Sequence, residues 1–317
     1  MVKNRLQNKI AKGEFTFLFC AIIALILWWL PEFAFSLSNA LGLVVFMLAT
    51  YIVIETNARM QIIRIRTRMM SCVWLVFAAC LPFMHPLGKP IIAATFLCAS
   101  YFLLFCCYQQ HRPQTNAFHA FLMLSIGSFF APVMLLMTIA FFLYLIFFLR
   151  SLTKKAFWAG ILGIIAPFWC YAIWCFLTKN LQSLVRHLTE MVHLEMPSLE
   201  ALTALPFSVQ VSIAVLALLS IVSIIHYLRT NYDDKIRVRM FLYIYVSQTL
   251  LLLAFLLFQP AQYEITMALL VASASPLIAH YFSLSGSIFC SIFFVLSLLL
   301  TAAMAILNLW MTSFSIY

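Results

Sequence analysis

Long uninterrupted runs of apolar residues alternate with short polar segments along the whole chain. A hydrocarbon core of about 30 Å takes roughly 20 apolar residues to cross as a helix. The runs therefore predict membrane-spanning helices over 15–30, 39–54, 70–84, 91–108, 157–178, 207–228, 240–258, 265–282 and 287–311. One further run is different in kind. From Ala117 to Leu149 there is no Asp, Glu, Lys or Arg. A straight helix of that length would reach roughly 50 Å, too long for a simple crossing. Pro132 disfavours helical backbone at Ala131 and marks a bend. Arg112 precedes the run, and Arg150, Lys154 and Lys155 follow it, so both of its ends belong on one side of the membrane. Residues 117–149 are thus predicted to form a proline-centred helical hairpin. The chain as a whole is expected to cross eleven times.

Charge then orients these crossings. The N-terminal segment 1–14 carries Lys3, Arg5, Lys9 and Lys12 and is assigned to the cytoplasm. Segments around Arg59–Arg68, Arg112, Arg150–Lys155 and Arg229–Arg239 fall on the same side under the eleven-span map. Of the 19 basic residues only Lys89, Lys179 and Arg186 lie outside. Treating 117–149 as a single pass inverts everything after it and destroys this asymmetry. The basic start and first apolar run resemble a secretory signal, with Ser36-Leu37-Ser38 loosely imitating a cleavage site. An uncleaved first span is the preferred reading.

Composition fixes the class. The chain is 65% hydrophobic and 9% charged, against about 45–50% and about 25% in soluble domains. In lipid each backbone polar group must be satisfied internally, which leaves helices or closed barrels. Continuous apolar runs in place of alternation select helices. The expected fold is an all-α, polytopic transmembrane bundle forming one membrane domain over 1–317. The net charge of +10 lies in short clusters between spans, the pattern of orientation signals and not of nucleic-acid binding. The nine cysteines all fall within apolar runs without metal-type spacing, and read as small apolar residues.

Candidate chemistry is sparse. No charged residue is expected at bilayer depth, which weighs against a proton- or sodium-coupled transporter. Gln248, His280 and Asn308 are polar groups within spans, read as interhelical hydrogen-bonding residues. Residues 179–206 form the one sizeable outer segment. There Leu181, Leu184, Val185, Leu188, Met191 and Val192 repeat at helical spacing opposite Gln182, Arg186, Glu190 and His193, predicting an interfacial amphipathic helix. His187, Glu190 and His193 lack the spacing of a metal motif, so no metal and no cofactor are expected. Glu32, just past the first span, is placed to act as a general base beside a lipid-borne substrate; a solvated loop carboxylate is the plainer reading. His85 and Lys89 flank the turn HPLGKP and are candidate phosphate contacts, or simply solvated. Trp28, Trp29 and Trp310 fit an interfacial aromatic belt, while packing is the simpler account of Trp169 and Trp174.

The run from His111 to Phe176, with its proline-centred pair, its basic residues and its Ala166-Pro167 span, resembles an uncharacterised multi-pass bacterial inner-membrane family. The stretch ASASPLIAHYFSLSGSIFCSIFF is similar in the same way. More distantly, the acidic residue after the first span, the paired short helices and the outer interfacial helix resemble C-type membrane glycosyltransferases, which use polyprenyl-phosphate sugars. That resemblance implies a role in the cell envelope, acting on lipid-linked sugars at the outer face, with Glu32 as base and Lys89, His85 and Arg186 near the phosphate. The expected partners are membrane lipids and a polyprenyl-phosphate-linked sugar. A lipid or small-solute transporter and a non-catalytic assembly partner are the alternatives.

Overall fold

A computed structural model describes residues 6–30, 36–180, 202–284 and 288–314, with 182, 185 and 189 between them. All regular structure among the described residues is helical, with no strand. The helices are α1 (Leu6–Lys12), α2 (Thr16–Trp29), α3 (Leu37–Met60), α4 (Met69–Ala79), α5 (Lys89–Phe105) and α6 (Gln114–Ser128). They continue with α7 (Val133–Phe147), α8 (Lys154–Leu177), α9 (Phe207–Thr230), α10 (Ile236–Phe258), α11 (Tyr263–Leu284) and α12 (Ile288–Phe314). Six of these, α3 and α8–α12, are long and apolar enough to cross a membrane. The helices α2, α4, α5 and α7 are apolar but shorter, so the six full-length spans are fewer than the eleven crossings that hydropathy suggests. The shortfall lies in runs that hydropathy reads as continuous. The predicted span 70–84 ends as an α-helix at Ala79, and that at 91–108 ends at Phe105. Conversely α3 runs on to Met60, where Gln61 adopts a left-handed backbone, and α8 continues through Pro167.

The chain divides into two compact units, Met1–Ile91 with Ser198–Tyr317, and Ile92–Pro197. In the second unit α6 and α7 fold back on one another around residues 129–132. Phe121 stacks on Phe142 at 4.3 Å and meets Phe141 edge-on. The backbone N–H of Gln109 donates to the Leu149 carbonyl at 3.1 Å, drawing the two basic flanks of this stretch to one end of the unit. Gly163 and Gly160 let α8 lie close on α6: a Cβ on Gly163 would sit 2.5 Å from the Phe118 carbonyl oxygen. Thr153 caps α8 by accepting from Ala156 N. The outer face of α8 carries Trp169 and Trp174, each 64% exposed. Both are surface residues, where packing was the simpler expectation.

The first unit is built around α11. Every residue from Thr266 to Ser283 is buried, and the helix meets α1, α4, α9 and α10, with Tyr281 and Phe282 against Phe293 and Phe294 of α12. Its sequence explains this. Alternating Ala and Ser over 272–275 lets neighbouring backbones approach closely, and Ser273 and Ser275 donate to carbonyls of their own helix. The segments with basic residues gather at one end of this unit. Thr67 Oγ1 bonds the Ala11 carbonyl at 2.5 Å, Arg64 pairs with Asp233 at 3.5 Å, and Arg237 donates to the Met60 carbonyl. Arg68 sits over the Phe17 ring. At the opposite end Phe83 meets Tyr263, the first residue of α11.

Candidate functional site

The candidate residues legible in the sequence are Glu32, His85, Lys89 and Arg186. Glu32 and Arg186 lie outside the described residues, as does most of the predicted interfacial helix. Lys89 is exposed at the start of α5. His85 is buried, 3% exposed, and not at a solvated turn. The reason is local. Helix α4 has only 11 residues, roughly 16 Å, almost all buried, so its C-terminal carbonyls end inside the protein and need partners. His85 Nε2 donates to the Ala79 carbonyl at 2.9 Å, and Asn308 Nδ2 donates to the Cys80 carbonyl at 2.9 Å. Asn308 is also hydrogen-bonded to Ser212, tying α4, α9 and α12 together.

The His85 ring stacks on Trp28 at 4.5 Å, and Trp28 in turn on Phe46 at 4.7 Å. Trp28 is thus a core residue, its Nε1 donating to the Asn39 carbonyl, and not part of an interfacial belt. The turn docks on α3 through Leu87 N, which donates to the Ser38 carbonyl. Gly42 permits that contact, since a Cβ there would lie 2.0 Å from the His85 carbonyl oxygen. Burial pushes the His85 imidazole down to about 4, only partly offset by its bond to Ala79. A neutral ring whose Nε2 is committed to a carbonyl is a helix-end cap.

The other end of the unit holds different chemistry. The short connection after α9 makes a 3₁₀ turn at Asn231–Asp233 and turns Asp234 inward. Its Oδ2 accepts from His280 Nε2 at 2.9 Å, with side chains 1% and 2% exposed. Asp233, beside it, points the other way to Arg64. Tyr227 lies edge-on to the His280 ring at 5.4 Å and donates its hydroxyl to the Arg239 carbonyl, which anchors α9 to the first turn of α10. Two atoms of the pair, Asp234 Oδ1 and His280 Nδ1, are buried with no hydrogen-bond partner among the described residues, and so is Arg239 Nε.

Asp234 lies at a span end, where the charged residues were expected, but its side chain is turned inward and buried. A carboxylate and an imidazole taken out of water together form an acid–base pair whose two free atoms can each give or take a proton. Burying such a pair is costly unless its polar atoms are bonded. His280 was legible as a polar group within a span. Asp234 was missed because it lies between Asp233 and Lys235 in a polar connection. The usable signal was the lone His280 in an apolar helix, which requires a partner, and the carboxylate nearest that end of the bundle. Among the described residues no group of three or more His, Cys, Asp or Glu could hold a metal. Comparisons with protein-family models, with curated proteins and with solved structures find no match.

Proposed function

We propose that the chain is a multi-pass bacterial inner-membrane protein that moves a small solute or lipid across that membrane, with Asp234–His280 at its working centre. The observation that carries this reading is the buried 2.9 Å pair with one free polar atom on each partner. An acid–base pair kept out of water at the end of a helix buried on all sides is an expensive arrangement for packing alone. In a transport cycle it has a use, because a bound ion or proton changes its net charge. Under this reading the four shorter apolar helices and α6 also lie in the membrane, giving eleven crossings with the N-terminus cytoplasmic. The gathering of the first unit's basic segments at one end supports that orientation. The test is uptake by vesicles holding the full chain, screened with labelled sugars, amino acids, carboxylic acids and short-chain phospholipids. Flux above that of empty vesicles, abolished by Asp234→Asn, is expected. No flux for any class, with folded protein, defeats the proposal.

A second reading is glycosyl transfer from a polyprenyl-phosphate sugar in envelope biogenesis. It is favoured by one observation: Lys89 stands exposed beside a turn docked rigidly on α3, a cation free to meet a phosphate. Glu32 would be the base and Arg186 a second phosphate contact. Glu32→Gln should then abolish transfer without altering expression, and normal envelope glycans in that variant would end the reading.

A further inference from the structure

We infer that Asp234 and His280 form a proton-operated latch: one proton on the pair holds the turn between α9 and α10 against α11, and its loss releases that turn to water. The inference deepens the transport reading, on which it rests for its purpose, by naming the proton as the ion handled at this site.

With His280 protonated at both ring nitrogens and Asp234 ionised, the pair has no net charge, and burying it requires only that its bonds be satisfied. The Nε2 proton stays in the bond to Asp234 Oδ2. The Nδ1 proton is the one free to leave, since Nδ1 has no partner among the described residues. When it goes, a net negative charge remains on groups that are 1% and 2% exposed. An uncompensated buried charge is far costlier than a paired one. The cheapest relief is to let water reach Asp234 Oδ1, and the released proton leaves into that water.

The geometry makes the turn the element that moves. His280 lies on α11, which is held on every side. Asp234 lies in the short connection after the 3₁₀ turn Asn231–Asp233. Arg64 reaches both the carboxylate and the carbonyl of Asp233 from the segment before α4, with both side chains substantially exposed, so this outer contact adds little. Asn231 donates to the Tyr243 hydroxyl, and Tyr227 holds the start of α10.

No neighbour supplies a replacement charge by direct bonding. From α9, His226 lies against Tyr281 and within electrostatic reach of His280, and Tyr227 lies against His280. Helix α10 carries Arg237, Arg239, Tyr243 and Tyr245. Helix α4 has Cys72 as its only titratable residue, α12 has Cys290 near Tyr281, and α1 carries Lys9 and Lys12. Among the described residues, His280 is the only group paired with Asp234.

The test uses the full chain in vesicles of phosphatidylethanolamine and phosphatidylglycerol. Amide hydrogen exchange is followed for residues 229–239 as a ratio to exchange in α3, which cancels the intrinsic effect of pH. As pH is raised stepwise, the ratio should rise at least about tenfold. Nitrogen NMR of labelled histidine should show His280 losing its proton over the same step. Asp234→Asn and His280→Gln should remove the step, while Arg64→Gln should keep it. Should the first two variants fail to fold, the wild-type NMR and exchange curves still decide. A flat ratio overturns the latch, as does a step without a change at His280, or one that survives in Asp234→Asn. A latch that titrates in a chain that moves no solute removes the transport reading alone; solute flux with a latch that never titrates does the reverse.

Discussion

The two ends of the first unit each bury a histidine, and they treat it in opposite ways. His85 has a backbone carbonyl as its partner, is stacked on Trp28, and is held neutral. His280 has a carboxylate as its partner, and each member keeps an unpartnered polar atom. Tyr263 beside Phe83 and His280 near the far end of α11 stand 17 residues apart, roughly 25 Å along the helix. One end therefore closes a broken helix, and the other holds a buried carboxylate–imidazole pair. The comparison teaches that burial of a polar side chain in a bundle says little until its partner is known. A carbonyl partner completes a hydrogen-bond count. A carboxylate partner joins two titratable groups in one buried pair.

The largest expected effect tests the charged end. Asp234→Ala leaves His280 Nε2 buried without its acceptor, and losses of about 3–5 kcal/mol are typical when one member of a buried pair is removed. A fall in thermal midpoint in detergent should be large, and it should be partly recovered in the double variant Asp234→Ala/His280→Leu, which removes both members of the pair. A small loss in the single variant would place the pair's partner elsewhere.

Gly42→Ala tests the neutral end by geometry alone. The new methyl would sit 2.0 Å from the His85 carbonyl oxygen and 2.9 Å from the Pro86 carbonyl carbon, both backbone atoms that move only with the turn. A cost of about 1–3 kcal/mol is expected from the overpacking. Trp28 fluorescence should report it as well, since that ring stacks directly on His85. An unchanged spectrum and midpoint would mean that the turn is not docked on α3.

Acid should act on the neutral end. The His85 imidazole lies near 4 in the fold against an ordinary value of 6.5, so the unfolded chain binds more protons between these limits. Stability from this site is complete above about pH 6.5 and is lost as pH falls toward about 4, on the order of 3 kcal/mol in all. His85→Gln, which keeps a donor for the Ala79 carbonyl, should flatten this part of the stability curve. If the acid loss persists in that variant, it belongs to another group.

Hydropathy made the helical, membrane-type character of this chain plain, yet it did not identify the central helix. Of the six full-length spans, the one at Pro260–Leu284 is the least apolar and has 94% of its central window buried, whereas Lys154–Leu177 is more apolar and has 17% buried. Lipid tails are as apolar as leucine, so oiliness does not sort helices between core and rim. Small residues do, and Ala272-Ser273-Ala274-Ser275 was the readable sign. The site was harder to read. Asp234 and His280 are 46 residues apart, and nothing local distinguishes Asp234, which turns inward, from Asp233, which turns out. His85 followed its surroundings into the core because α4 stops at Ala79, a break that the apolar run Leu75–Met84 conceals.

Arg64→Gln gives the smallest effect and the sharpest control. Arg64 and Asp233 approach to 3.5 Å with side chains 40% and 45% exposed, so solvent screens them and the pair is worth about 0–1 kcal/mol. Its neighbour in sequence, Asp234, makes a bond of similar type with neither partner exposed. The same chemical contact, one residue along the chain, should thus differ several-fold in its effect on stability. Raising salt should erase what little Arg64 contributes and leave the Asp234→Ala deficit intact. If the two variants prove equally damaging, the buried end owes its strength to the turn as a whole, and the contrast between the two histidines would no longer rest on the carboxylate.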